Sequence, residues 1–285
     1  MSLLSLAHAR LNRNNLDLNV ALLSWWRSGT NLLSAYLNEN GWLYVDEPYS
    51  QLTKVFTKNY KDMHTQEVVK LFTHEVDVFD TWLLSLLSTS PVPSCIKVHL
   101  PNLFARTGYA EIALASRRLL GTCYPQSVIL YRKAAFDLTA SKLLADAKQR
   151  YVVETSADIK TNMEYNRPVS LSIDAFEKEI EIMYKFWMEF LATPQYSSNV
   201  EMYVTHEDDI INLPVKTYKQ MPSKTKIISN YADLQDHYNN KYLGLFDKIS
   251  EEIDYRRSKS LPEWSAFLKR VESHSQKIKT LEERP

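Results

Sequence analysis

Residues 18–40, LNVALLSWWRSGTNLLSAYLNEN, constrain this chain more than any other stretch. They read as a buried strand, a tight loop Trp25-Trp26-Arg27-Ser28-Gly29-Thr30, and an amphipathic helix that Gly41 can close. A strand that feeds a helix through such a loop is built to hold an anion. The first N–H groups of the helix have no intrahelical acceptor and carry partial positive charge. Arg27 adds a permanent charge and a planar fork of donors. Ser28, Thr30 and Asn31 add short polar groups. The spacing is not that of the common P-loop, which requires Gly, four residues, then Gly-Lys-Ser/Thr. One glycine stands here, Arg replaces Lys, and the basic residue precedes Ser-Gly-Thr. The loop predicts a phosphate-like ligand.

Strand-like apolar runs occur at residues 18–24, 95–100, 127–132 and 200–205, each short and bounded by polar residues or Pro. Helical patterns cover 31–40, 67–87, 110–120, 136–149 and 173–191. Strands alternating with helices argue for an α/β fold with a central parallel sheet flanked by helices. In such sheets ligands bind beyond the carboxyl ends of the strands. No repeat or Gly/Ser linker divides the chain, so residues 1–285 read as a single domain with a charged helical tail from about residue 251.

Net charge is zero, which argues against a nucleic-acid surface. The two cysteines, Cys95 and Cys123, form neither a disulfide framework nor a metal spacing. The histidines show no shared ligand spacing, so no metal is expected. The first fifteen residues are too polar for a signal peptide, and no apolar run reaches the length of a membrane span. A soluble, cytoplasmic protein is expected.

The second informative segment is Lys97-Val98-His99-Leu100-Pro101. Side chains two apart on a strand share a face, so Lys97 and His99 point the same way near the strand's end. A lysine there can neutralise developing negative charge, and a histidine can take a hydroxyl proton near neutral pH. The third segment, residues 127–144, is a strand ending at Arg132 and a helix carrying Asp137 and, four residues on, Ser141. Asp137 and Ser141 share a helix face.

These segments resemble sulfotransferases that use 3′-phosphoadenosine 5′-phosphosulfate (PAPS). Arg27-Ser28-Gly29-Thr30 is similar to their 5′-phosphosulfate loop, Lys/Arg-Ser-Gly-Thr/Ser. Lys97 to Pro101 is similar to the Lys-Thr-His-Leu-Pro segment of cytosolic members. Arg132 to Ser141 resembles Arg-Asn-Pro-x-Asp-x-x-x-Ser, with one extra residue before Asp137 and no Asn-Pro. The resemblance covers roughly residues 18–145 and implies a P-loop-NTPase-like sulfotransferase fold. It implies PAPS as donor, the bisphosphate PAP as product, and no metal. Arg27, Ser28, Gly29, Thr30 and Asn31 would hold the 5′-phosphosulfate; Arg132 and Ser141, with Thr139 as a substitute, would hold the 3′-phosphate. Lys97 and Arg27 would stabilise charge on the sulfonate, and His99 would be the base.

Some bacterial carbohydrate members place a catalytic Glu after the first helix, which makes Glu47 the rival base. Residues 204–210, VTHEDDI, resemble an acidic strand end of these enzymes and read as structural. The family's basic C-terminal loop, often Arg-Lys-Gly, is missing; Lys224 and Lys226 stand in its region. The Trp that stacks on adenine in many members is Leu32 here. The acceptor is a small molecule or carbohydrate that the residues do not identify. Two rivals remain: a kinase-like phosphoryl transferase, and a PAP-binding homologue without turnover.

Overall fold

The structure is a computed structural model, and it describes residues 18–45, 92–100, 126–148, 167–192, 202–216, 224–260 and 263–282. Five strands form one parallel sheet: β1 (Val20–Ser24), β2 (Leu43–Val45), β3 (Ser94–His99), β4 (Gln126–Tyr131) and β5 (Met202–Thr205). Their order is β2-β3-β1-β4-β5. Around them lie α1 (Thr30–Glu39), α2 (Ala135–Lys148), α3 (Ile173–Ala192), the short α4 (Lys224–Ile227), α5 (Tyr231–Lys241), α6 (Asp247–Ser258) and α7 (Trp264–Glu282). A π-helical turn, His206–Ile210, follows β5.

The central strands are continuous apolar runs because both faces of the sheet are covered. Period-2 alternation divides them between two cores. Val20, Leu22, Cys95, Val128, Leu130, Met202 and Val204 pack with Leu33, Tyr36 and Leu37 of α1 and with Phe267 and Val271 of α7. Ala21, Leu23, Ile96, Val98, Ile129, Tyr131 and Tyr203 pack on the other face, against α2, α3, α5 and α6. That second core is aromatic: Trp187 meets Tyr131 edge-on, with ring centroids 5.1 Å apart. Each such buried ring is worth about 1.5–3 kcal/mol of transfer free energy.

The expected parallel α/β sheet is thus present, and every expected strand appears within two residues of its expected limits. The strand placed at 127–132 stops at Tyr131 because Arg132 begins the turn into α2. The charged tail is helical, as α6 and α7. The expected helices at 67–87 and 110–120 lie outside the described residues, as do Glu47, Pro101 and Cys123. Among the described residues no helix is long and apolar enough to cross a membrane.

The strand order fixes where a ligand belongs. From β1 the chain goes out to β2 and returns through β3; from β4 it goes the other way, to β5. β1 and β4 are neighbours, so the crevice beyond their carboxyl ends is the switch point of the sheet. Arg27 follows β1 and Arg132 follows β4.

Candidate anion-binding site at the switch point

The loop after β1 is shaped by two left-handed residues. Arg27 has φ 65° and Gly29 has φ 96°. A left-handed arginine costs energy that a functional position can tolerate. Ser28 is fully buried and donates its hydroxyl to the carbonyl oxygen of Trp25 at 2.9 Å, which ties the loop together. That hydroxyl's hydrogen is therefore spent on the loop. Gly29 caps α1 without a side-chain bond, and no acidic residue lies in the first turn. The N-terminal N–H groups of α1 keep their partial positive charge. Thr30 is buried at this turn.

Lys97 reaches into the same corner. It is 1% exposed and donates to Asn31 Oδ1 at 2.9 Å. This pairing follows from the pleat: Lys97 is in register with Leu22, whose face packs on α1. Asn31 thus gives a buried ammonium one of the partners it needs. His99, two residues on, is in register with Ser24, and the Ser24 hydroxyl lies 3.3 Å from its Nδ1. Trp26 leans towards the imidazole, with ring centroids 6.5 Å apart. Lys142 lies over that indole at 5.1 Å and is paired with Glu179 at 3.2 Å. Trp25 is a core residue against Phe186.

From the β4 side, Arg132 donates Nη1–H to the carbonyl oxygen of Arg27 at 3.3 Å. Its buried Nε makes no hydrogen bond among the described residues, and Glu207 lies 3.9 Å away. Arg27 Nε donates to Ser141 Oγ at 3.1 Å. The two arginines and Ser141 are therefore one group, although 114 residues separate Arg27 from Ser141. Asp137, on the same face of α2, pairs with groups from beyond that helix. It accepts Lys224 Nζ at 3.0 Å and the Tyr231 hydroxyl at 3.3 Å. Burial pushes the Asp137 carboxyl up, but Lys224 and Arg132 outweigh it and hold the group below its usual range.

Of the two candidate lysines, Lys224 lies close to the arginines. From α4 its ammonium donates to Asp137, and burial lowers its pKa together with the nearby charges of Arg132 and Arg27, against Asp137. Lys226 is exposed. Thr139, the possible stand-in for Ser141, is fully buried on α2, and its hydroxyl has no hydrogen-bond partner among the described residues. Leu32 is a core residue on the buried face of α1.

His206 is the group that sequence reasoning placed in a structural segment and the fold brings to the site. A Cβ on Gly29 would lie 2.4 Å from His206 Cδ2, so only glycine lets the ring sit on the loop. Burial and the charges of Arg132 and Lys224 lower the imidazole's pKa, with Glu207 opposing. Its position directly after β5, at the carboxyl edge of the sheet, was the available signal. The turn that carries it is fixed. Asp209 accepts two bonds from the Arg257 guanidinium, at 2.7 and 2.6 Å, and one from Thr205 N–H at 2.8 Å. Glu207 accepts the N–H groups of Lys133 and Ala134 ahead of α2.

Arg27, Arg132, Lys224 and His206 thus gather around one loop at one helix start, with Asp137 and Glu207 as the nearby carboxylates. Such a place favours an anion carrying more than one charge. No family model matches the chain, and no curated protein matches it. The functional reading therefore rests on this geometry and on the residues that compose it.

Proposed function

We propose that this protein is a PAPS-dependent sulfotransferase with a P-loop-like sulfotransferase fold. It would transfer the sulfuryl group of PAPS to a hydroxyl or amine of a small-molecule or carbohydrate acceptor. One observation carries the reading: Arg27 after β1 and Arg132 after β4 meet at the switch point, where Arg132 donates to the Arg27 carbonyl and Arg27 donates to Ser141. The residues fit a nucleotide with two phosphate positions. Arg132 has a buried nitrogen without a hydrogen bond among the described residues, and Lys224 is held among like charges that an anion would relieve.

In this reading the loop from Arg27 to Asn31 binds the 5′-phosphosulfate through the start of α1. Arg132, Ser141 and Lys224 bind the 3′-phosphate. PAPS supplies an activated sulfuryl group. Lys97, held by Asn31, and Arg27 stabilise charge that spreads onto the sulfonate and the departing phosphate oxygen. The acceptor's proton goes to His99 or to Glu47. The work is mainly positioning and charge stabilisation, as in phosphoryl transfer.

The test is thermal denaturation with PAP, and separately with ATP and Mg²⁺, at equal concentration. A ligand that binds the folded state raises stability with the logarithm of its concentration over Kd. PAP is expected to raise Tm well above ATP, because only PAP carries a 3′-phosphate for Arg132 and Lys224. Arg132→Ala should remove most of that difference. Equal shifts with PAP and ATP in the parent protein would leave the kinase-like reading in its place.

A further inference from the structure

The mechanism above leaves one buried group unused. Ser24 closes β1, is fully buried, and has His99 Nδ1 as its hydrogen-bond partner at 3.3 Å. Parallel register sets the pair, since Ser24 and His99 are Cα partners on adjacent strands whose side chains project on one face. A fully buried hydroxyl gives its hydrogen to a neighbouring acceptor, because a buried donor left unmade carries its full desolvation cost. Among the described residues the acceptor offered to Ser24 is that ring nitrogen. A substrate cannot reach a hydroxyl this deep, so the pair is not a nucleophile with its base.

We propose that Ser24 is a positioning residue that holds neutral His99 with its proton on Nε2. The ring nitrogen that a serine hydroxyl bonds cannot also carry the proton, and the other nitrogen must. Nε2 of His99 then carries an N–H and not a lone pair, on the strand face that His99 shares with Lys97. Proton removal falls to another group. That consequence rests on the proposed sulfuryl transfer, but the tautomer itself does not.

The experiment is two-dimensional ¹H–¹⁵N NMR of the histidine-labelled full chain, above the pH at which its imidazoles are charged. It needs no donor or acceptor, so a failure of sulfuryl transfer leaves it intact. The His99 signals are assigned with His99→Gln. In the parent protein, Nε2 of His99 is expected to be the protonated nitrogen, and Nδ1 to be a hydrogen-bonded acceptor. In Ser24→Ala, Nδ1 should move to the position of an unbonded lone pair. A proton found on Nδ1 in the parent overturns the proposal. So does an Nδ1 resonance that Ser24→Ala leaves unmoved.

Discussion

His206 carries the most informative charge balance of any single residue here. Its imidazole sits on the Gly29 backbone and is held below the ordinary histidine value by burial, then by Arg132, with Lys224 adding to them. The sign for stability is direct. A histidine whose folded pKa is depressed favours the neutral form, so it lowers stability as pH falls below the unfolded value of about 6.5. The sign for binding is opposite. A dianion at Arg132 and Lys224 offsets their charge and raises the His206 pKa, so binding takes up a proton. PAP affinity should therefore rise as the pH falls below the ordinary histidine value of about 6.5 and His206 takes up its proton. Titration calorimetry in buffers of different ionisation enthalpy reads this uptake, and His206→Gln should reduce it. Comparing parent with variant cancels the ligand phosphate's own titration. Identical proton uptake in both proteins would place His206 away from the ligand.

At the scale of elements, the loop between β1 and α1 ties the two halves of the sheet together. Gly29 is the point of closest approach, with φ 96° and His206 where a Cβ would go. Gly29→Ala should cost about 1–3 kcal/mol from the left-handed backbone alone, and more as the ring is displaced. A denaturant midpoint lowered by no more than an ordinary surface change would show that the π-helical turn can withdraw without loss.

The sequence made the elements legible because buried parallel strands leave short apolar runs with polar ends. Lys97 and His99 were legible for the same reason, since two polar residues spaced by two must share a face. What could not be read was tertiary. Arg27 bonding Ser141, and Lys224 bonding Asp137, join residues 114 and 87 apart. Thr139 and Ser141 look equivalent in sequence. Only the packing of α2 puts one in the core and the other beside Arg27. The contact of His206 with Gly29 joins β5 to β1, which are not even neighbours in the sheet.

Across the whole molecule, the site lies at the carboxyl edge of a sheet whose two cores hold it from either side. One of those cores depends on the C-terminal helix. Phe267 of α7 is 2% exposed, stacks on Trp264 at 5.2 Å between centroids, and packs in the cluster that contains the inward face of α1. Phe267→Ala should cost about 3–5 kcal/mol, the usual loss for a buried ring. That is a large share of the roughly 5–15 kcal/mol of a typical domain. PAP at one hundred times its Kd returns about 2.7 kcal/mol by mass action. The variant should therefore unfold at markedly lower denaturant without ligand and recover most, but not all, of the loss with it. The increment from PAP should be the same in parent and variant, because Phe267 packs in the core while the cations sit on the loop after β1, the turn after β4 and α4. Chemical denaturation of both proteins with and without PAP measures all four free energies. A clearly smaller increment in Phe267→Ala would mean that α7 sets the loop through α1, and the core and the site would then be one cooperative unit.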